Sequence, residues 1–201
     1  MMKRTGKSHF QRFLAAVARG DDQRAEELVA LLTPQDAPRL LELAQAEDPD
    51  RRWWALRALA RVGDGDAAPA LAAALADPEP AIRAVAAMTL AALCSRQPQT
   101  VEPLLPRLLQ LLADDDGLVR QTAGDALARC GELAAPLLAQ ALDSPQEGVR
   151  VRAAHALHRL RAVSTAPALF RHLNDPNPLV RHHVTEALDE MGLLNNLLFT
   201  R

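Results

Sequence analysis

The sequence predicts an all-α fold, an α-solenoid in which antiparallel helix pairs stack one on the next. An octet of fixed pattern, Arg-x-x-[Ala/Val]-x-x-[Ala/Thr]-Leu, begins at Arg52, Arg83, Arg120, Arg150 and Arg181. Successive copies lie 31, 37, 30 and 31 residues apart, and a period of this size marks stacked helical units. Alanine and leucine make up about a third of the 201 residues, aromatics are scarce and Tyr is absent, which favours helix over sheet. Stacked units share no central core, so the chain exceeds the usual single-domain size without needing one.

Residues 1–7 read as a basic N-terminal tail. Ser8 is placed to cap a first helix, with Phe10, Phe13, Leu14 and Val17 on one face and Gly20 as its stop. Asp21 or Asp22 caps a second helix running to Leu32. This hairpin lacks the octet, and a solenoid needs an atypical first unit over its open end, so residues 8–32 are expected to form a cap. Five units follow, over about 33–63, 64–94, 95–131, 132–161 and 162–192, each a helix A, a turn and a helix B. Helix A is Leu-rich, with prolines mostly in its first turn, where a missing N–H costs little. Pro106 falls later in the pattern and is expected to kink or restart its helix. The turns contain Asp48, Asp77, Asp114, Asp143 and Asp175, mostly beside Pro or Gly. Gly63, Gly131 and Gly192 end three B helices as expected left-handed stops. The long interval holds residues 95–100, so the third unit has either a longer loop or an early helix A. Residues 193–201 are expected to cap the C-terminal end, their Leu and Phe being otherwise a docking peptide.

The formal net charge of −2 gives no general pull toward nucleic acid or anionic membrane. The basic start is followed by no long apolar core, so export by a signal peptide is not expected. No apolar run approaches the roughly 20 residues of a membrane span. Cys94 and Cys130 sit at the ends of consecutive B helices. They are expected as two buried thiols acting as small apolar groups, which fits a reducing cytoplasm, with a structural disulfide as the alternative if the two ends lie close together.

The longer pattern Asp-Pro-x-x-x-[Val/Ile]-Arg-x-x-[Ala/Val]-x-x-[Ala/Thr]-Leu fits residues 77–90 and 175–188. Residues 114–127 match without the Pro, and the copies at Arg52 and Arg150 shift the Asp. This pattern, over roughly 34–192, resembles the short HEAT-like repeat named after phycobilisome lyases. The resemblance implies a right-handed solenoid whose B helices line the inner, concave surface. It also implies a ladder of inter-repeat hydrogen bonds between turn Asp and helix-B Arg. Asp77, Asp114 and Asp175 with Arg83, Arg120, Arg150 and Arg181 are thereby assigned structural roles. Arg52 stands apart, because its shortened turn moves Asp48.

Function must then reside at the variable positions of helix B. Counting the Arg as zero, positions +3, +6, +7 and +10 are apolar or small and share one side of a helical wheel. Positions +1, +5 and +8 lie opposite, flanked by +2 and +9. The candidate partner-binding residues are Trp53, Arg57, Met88, Gln121, Asp125, His155, His182 and Glu186, with Arg152 and Arg159 at the margin. Trp and Arg are the types most enriched at binding hot spots. Trp53 either faces outward or packs under the N-terminal hairpin, and Trp54 is expected to be buried.

His182 and Glu186 stand at i, i+4, a workable ligand spacing, and His155 holds the position of Glu186 one unit earlier. A metal hydroxylase of similar repeats uses His-Glu dipeptides, and this chain has none, so no metal or cofactor is expected. The basic run Arg150, Arg152, His155, His158, Arg159 and Arg161 is the alternative nucleic-acid surface, but Asp125, Glu186, Asp189 and Glu190 share it. No phosphate-binding glycine loop, Cys-x-x-Cys or Gly-x-Ser-x-Gly occurs. Chromophore-lyase activity follows only from the name of the repeat. The expectation is a non-enzymatic, cytoplasmic adaptor that binds another protein.

Overall fold

Ser8 opens the first helix through a reciprocal pair of bonds. The Gln11 N–H donates to its hydroxyl at 3.2 Å, and the Ser8 N–H donates to the Gln11 side chain at 3.1 Å. From there a computed structural model describes residues 8–194, and they contain helices and turns with no strand. They divide into two compact units, one ending at Leu93 and the other starting at Cys94. The expected C-terminal cap falls largely outside the described residues, as does the basic tail.

In the first unit α1 (His9–Val17) and α2 (Asp22–Val29) form the hairpin, with Gly20 left-handed between them at φ 65°. Two helix pairs follow, α3 (Ala37–Leu43) with α4 (Pro49–Val62), and α5 (Ala68–Ala74) with α6 (Pro80–Leu93). The hairpin packs on α4, so Phe10, Phe13 and Leu28 share a core with Trp54, Leu59 and Val62. In the second unit the pairs are α8 (Leu105–Gln110) with α9 (Gly117–Arg129), α10 (Ala135–Ala141) with α11 (Glu147–Leu160), and α12 (Ala166–Arg171) with α13 (Pro178–Glu190). A short α7 (Pro98–Val101) precedes them and gives way to a 3-10 turn before α8 restarts. The long interval is therefore an early helix A, broken where Pro103 and Pro106 remove N–H donors.

The octet is packing. Its +7 leucines, Leu59, Leu90, Leu127, Leu157 and Leu188, are all fully buried, as are Ala55, Ala86, Ala123, Ala153 and Val184 at +3. At +6, where the other copies have Ala, Thr89 is fully buried and satisfies its hydroxyl against Val85 O at 2.8 Å and Leu56 O at 3.0 Å. That contact links α6 back to α4.

The octet's leading arginine has a repeated task. In every copy Nη1 donates to the two carbonyls six and five residues earlier, which closes the turn onto its own helix B. Arg52 and Arg150 also reach the turn of the following pair. Arg52 binds Asp77 through Nε at 3.0 Å and Nη2 at 3.2 Å, and Arg150 binds Asp175 at 3.0 and 3.3 Å. Arg52, the copy set apart by its shortened turn, thus makes the same contact as Arg150. The rung runs forward to the next turn, so the position of Asp48 in its own turn is immaterial. Counting six back from each arginine gives Ala46, Asp77, Asp114, Ser144 and Asp175. Ser144 stands where a carboxylate would receive Arg120, while Asp143, one residue earlier, bonds His172 Nε2 at 3.1 Å.

Two further expectations are corrected. Gly131 and Gly192 are left-handed, at φ 64° and 71°, but Gly63 is extended at φ −67° and ψ 153°. Gly63 is required for a different reason, since a Cβ there would meet Leu59 O at 2.6 Å. Cys94 and Cys130, expected as thiols, form a disulfide, their Cα atoms 5.2 Å apart within the range that a disulfide spans. No helix among the described residues is long and apolar enough to cross a membrane.

A double-mutant cycle on Arg52→Ala and Asp77→Ala, read by urea unfolding, is expected to give a coupling of about 1–3 kcal/mol, because the pair is bidentate and mostly screened from water. The same cycle on the exposed Arg159–Asp125 pair should give less than about 1 kcal/mol. Cys94 and Cys130 lie 36 residues apart. Opening a bridge over such a loop by Cys130→Ser should cost about 3–4 kcal/mol. Thiol titration of the denatured parent chain without reductant should read no free thiol.

Candidate functional site

Each unit carries its own candidate surface. In the first, Trp53 at +1 is half-buried and Trp54 at +2 is buried. Phe13 of α1 meets Trp54 edge-on at 6.3 Å and 80°, and Trp54 meets Trp53 edge-on at 4.9 Å and 81°. The two readings of Trp53 are therefore both partly right. Its neighbour fixes it from beneath, while the ring lines a cleft of about 680 Å³. The hairpin forms the opposite wall with Asp22 and Glu26, and Asp50 and Ala81 contribute from α4 and α6. Arg57 pairs with Glu26 at the edge of this surface. Met88 on α6 is 50% exposed.

Asp22, Glu26 and Asp50 were absent from the candidates because two of them belong to the hairpin, which carries no octet to align. Their spacing was a usable signal. Asp22 and Glu26 are i, i+4 on α2, and Asp50 is three residues before Trp53 on α4, so each pair shares a helix face.

In the second unit Gln121, His155, His182 and Glu186 are exposed, as the wheel placed them. Asp125 is half-buried and pairs with Arg159. Arg152 is not a marginal surface group. It turns back to donate to Leu112 O at 3.0 Å, and burial, with the nearby Arg120 charge, lowers its pKa. Both Arg152 and His183 occupy position +2. In α4 and α13 that position packs toward the preceding element, Trp54 against α1 and His183 against α11. In α11 Arg152 likewise reaches back to Leu112. The wheel missed this because it describes one helix and omits the neighbour.

His183 is the centre of the histidine group. Its ring lies 4.9 Å from His155, 5.8 Å from His158 and 5.2 Å from His182. Its Nδ1 is buried and makes no hydrogen bond. Burial, followed by the positive charges of His155, His182 and His158, pushes its pKa down to about 4. His155 is lowered too, first by burial and then by His158. Among the described residues no three His, Cys, Asp or Glu side chains are placed to share a metal ion.

The basic run of α11 is largely neutralised from within. Arg150 is held by Asp175, whose carboxyl burial would raise but whose bonds to Arg150, the Asn177 amide and His172 hold below its ordinary value. Arg159 is held by Asp125, and Glu190 receives both His158 at 3.3 Å and Arg161 at 2.7 Å. A phosphate backbone would find these cations already paired.

The family model described as HEAT repeats matches residues 37–128 and, in a second overlapping match, 105–189. No curated protein matches the sequence. Among solved structures, YibA of Escherichia coli is 20% identical with a TM-score of 0.56, over 98% of this chain and 81% of that one. The archaeal HEAT-like repeats protein from Thermococcus onnurineus is 17% identical with a TM-score of 0.55, over 94% of this chain and 82% of that one. A designed armadillo repeat protein in complex with the peptide (KR)4 is 18% identical with a TM-score of 0.51, over 89% of this chain and 98% of that one. These likenesses establish the α-solenoid fold.

The histidine group predicts a pH dependence. In the unfolded chain His183 titrates near 6.5, and in the folded chain near 4, so between these values the unfolded state binds the extra proton. The stability present above pH 6.5 is therefore lost as pH falls through this window and levels off below it. Thermal melts at pH 7.5 and 5 should show a drop in Tm that is smaller in His183→Gln than in the parent.

Proposed function

Because this chain belongs to the HEAT repeat family, we propose that it is a non-catalytic adaptor that binds a partner protein on the variable positions of its B helices. The observation that carries this reading is the Trp53 cleft. An aromatic side chain held by edge-on contacts from Trp54 and Phe13 lines a cleft with ionic groups, the composition of a binding hot spot. A peptide bound to a designed repeat protein of similar fold is consistent with it. We take Trp53, Arg57 and Met88 as the contact residues of the first unit. Those of the second are Gln121, Asp125, His155, Arg159, His182 and Glu186. Arg152 serves mainly to tie α11 to Leu112.

We take residues 33–192 as five repeats of the short type named after phycobilisome lyases. That resemblance concerns repeat geometry and brings no chromophore chemistry with it. The nucleic-acid alternative loses its support, because its cations are paired internally. A cytoplasmic location loses the support it drew from free thiols, since Cys94 and Cys130 are joined.

Pull-down from the native source with the parent chain and with a Trp53→Ala/Arg57→Ala variant tests the proposal. At least one partner protein should be lost or reduced about tenfold or more, as expected for removal of a hot spot. A variant that stays folded and retains every partner at parental yield would refute the first-unit site.

A further inference from the structure

We infer that the Trp53 cleft takes a cationic side chain, the guanidinium or ammonium of a basic segment in the partner protein. This rests on the reading of the helix-B face as a protein-binding surface and adds the chemistry of what it binds. Three carboxylates, Asp22, Glu26 and Asp50, line the cleft, and among the described residues no Lys, Arg or His does. Only Glu26 has an internal counter-charge, Arg57. Asp22 and Asp50 make no ion pair among the described residues, and both side chains are exposed to solvent. Each sits in the first turn of its helix, Asp22 in α2 and Asp50 in α4, where the positive helix end favours the ionised carboxylate. The two helix ends, which alone would attract anions, are thus overlaid with negative charge.

Trp53 supplies the second half of the recognition. An aromatic ring attracts a cation through its quadrupole, and an Arg or Lys side chain also brings an apolar stem that covers the ring. The edge-on contacts from Phe13 through Trp54 hold that ring in place before any ligand arrives, so little order is lost on binding. The cleft volume of about 680 Å³ lies within the range of ligand sites and accommodates more than a water-sized ion. Net charge does not account for the preference, since the whole chain carries only −2. An acidic or phosphorylated segment would meet three carboxylates and is excluded by the same geometry.

The test titrates the full chain with a fluorescently labelled octapeptide of alternating Lys and Arg, and with the same peptide carrying Gln throughout. The basic peptide should bind at least about tenfold more tightly. Asp22→Asn/Asp50→Asn changes only exposed side chains, and should lose about tenfold for the basic peptide and nothing for the Gln peptide. Equal affinity for the two peptides, lost in Trp53→Leu, would overturn the cation assignment and leave the binding surface standing. Unchanged affinity of the Asn variant for the basic peptide would place the cation elsewhere and also overturn it. Self-association of the parent chain that disappears in the Asn variant would assign the cleft to a basic side chain of a second copy, overturning the partner assignment. If neither peptide binds, the cation assignment fails, while the Trp53-dependent pull-down still judges the wider reading.

Discussion

One guanidinium per repeat organises the turns of this protein. Each octet begins with an arginine that donates to two carbonyls of the turn behind it, and those carbonyls belong to backbone that no helix can satisfy. The planar group has further donors left over, and at Arg52 and Arg150 it takes the carboxylate of the next turn too. Lysine could not do this, because a single ammonium lacks the fixed fork that faces two directions at once. The arginine therefore sets both the shape of its own turn and, at Arg52 and Arg150, the contact with the following pair.

That division of labour explains why so much of helix B is uninformative about function. With turns fixed by Arg, and pairing fixed by Ala, Val and Leu at the buried positions, the sequence is constrained at about half of each B helix. The remaining positions are open to whatever a partner demands. In the first unit they have acquired an aromatic ring and a set of acids around a cleft. In the second they hold histidines, and the paired cations of α11 are absorbed into the packing of the helices around them.

The fold class, the order of helices and the buried face were legible in the sequence because they repeat, and each copy tests the others. The cleft was only half legible. Trp53 stood out as a large exposed-side residue, but its acidic wall comes from α2, which has no sibling elsewhere in the chain to compare with. Arg152 was misplaced and His183 passed over because a helical wheel assigns a face without knowing what leans against it. Position +2 looks marginal on an isolated helix, yet Trp54, Arg152 and His183 all reach the element before them. The disulfide escaped for another reason. Two Cys at the ends of successive helices fit a pair of apolar thiols equally well until the distance between them is known.

Ser144 has a mechanical meaning. Where a carboxylate would lock Arg120 to the next turn, the second unit has a neutral hydroxyl, and the pairs meeting there are joined instead by Arg152 on Leu112 O and by the solvent-facing Arg159–Asp125 bridge. A bond in water weakens as salt rises, whereas the partly buried rung of Arg150 and Asp175 is screened far less. Within the second unit, the α9–α11 contact therefore depends more on ionic strength than the α11–α13 contact does.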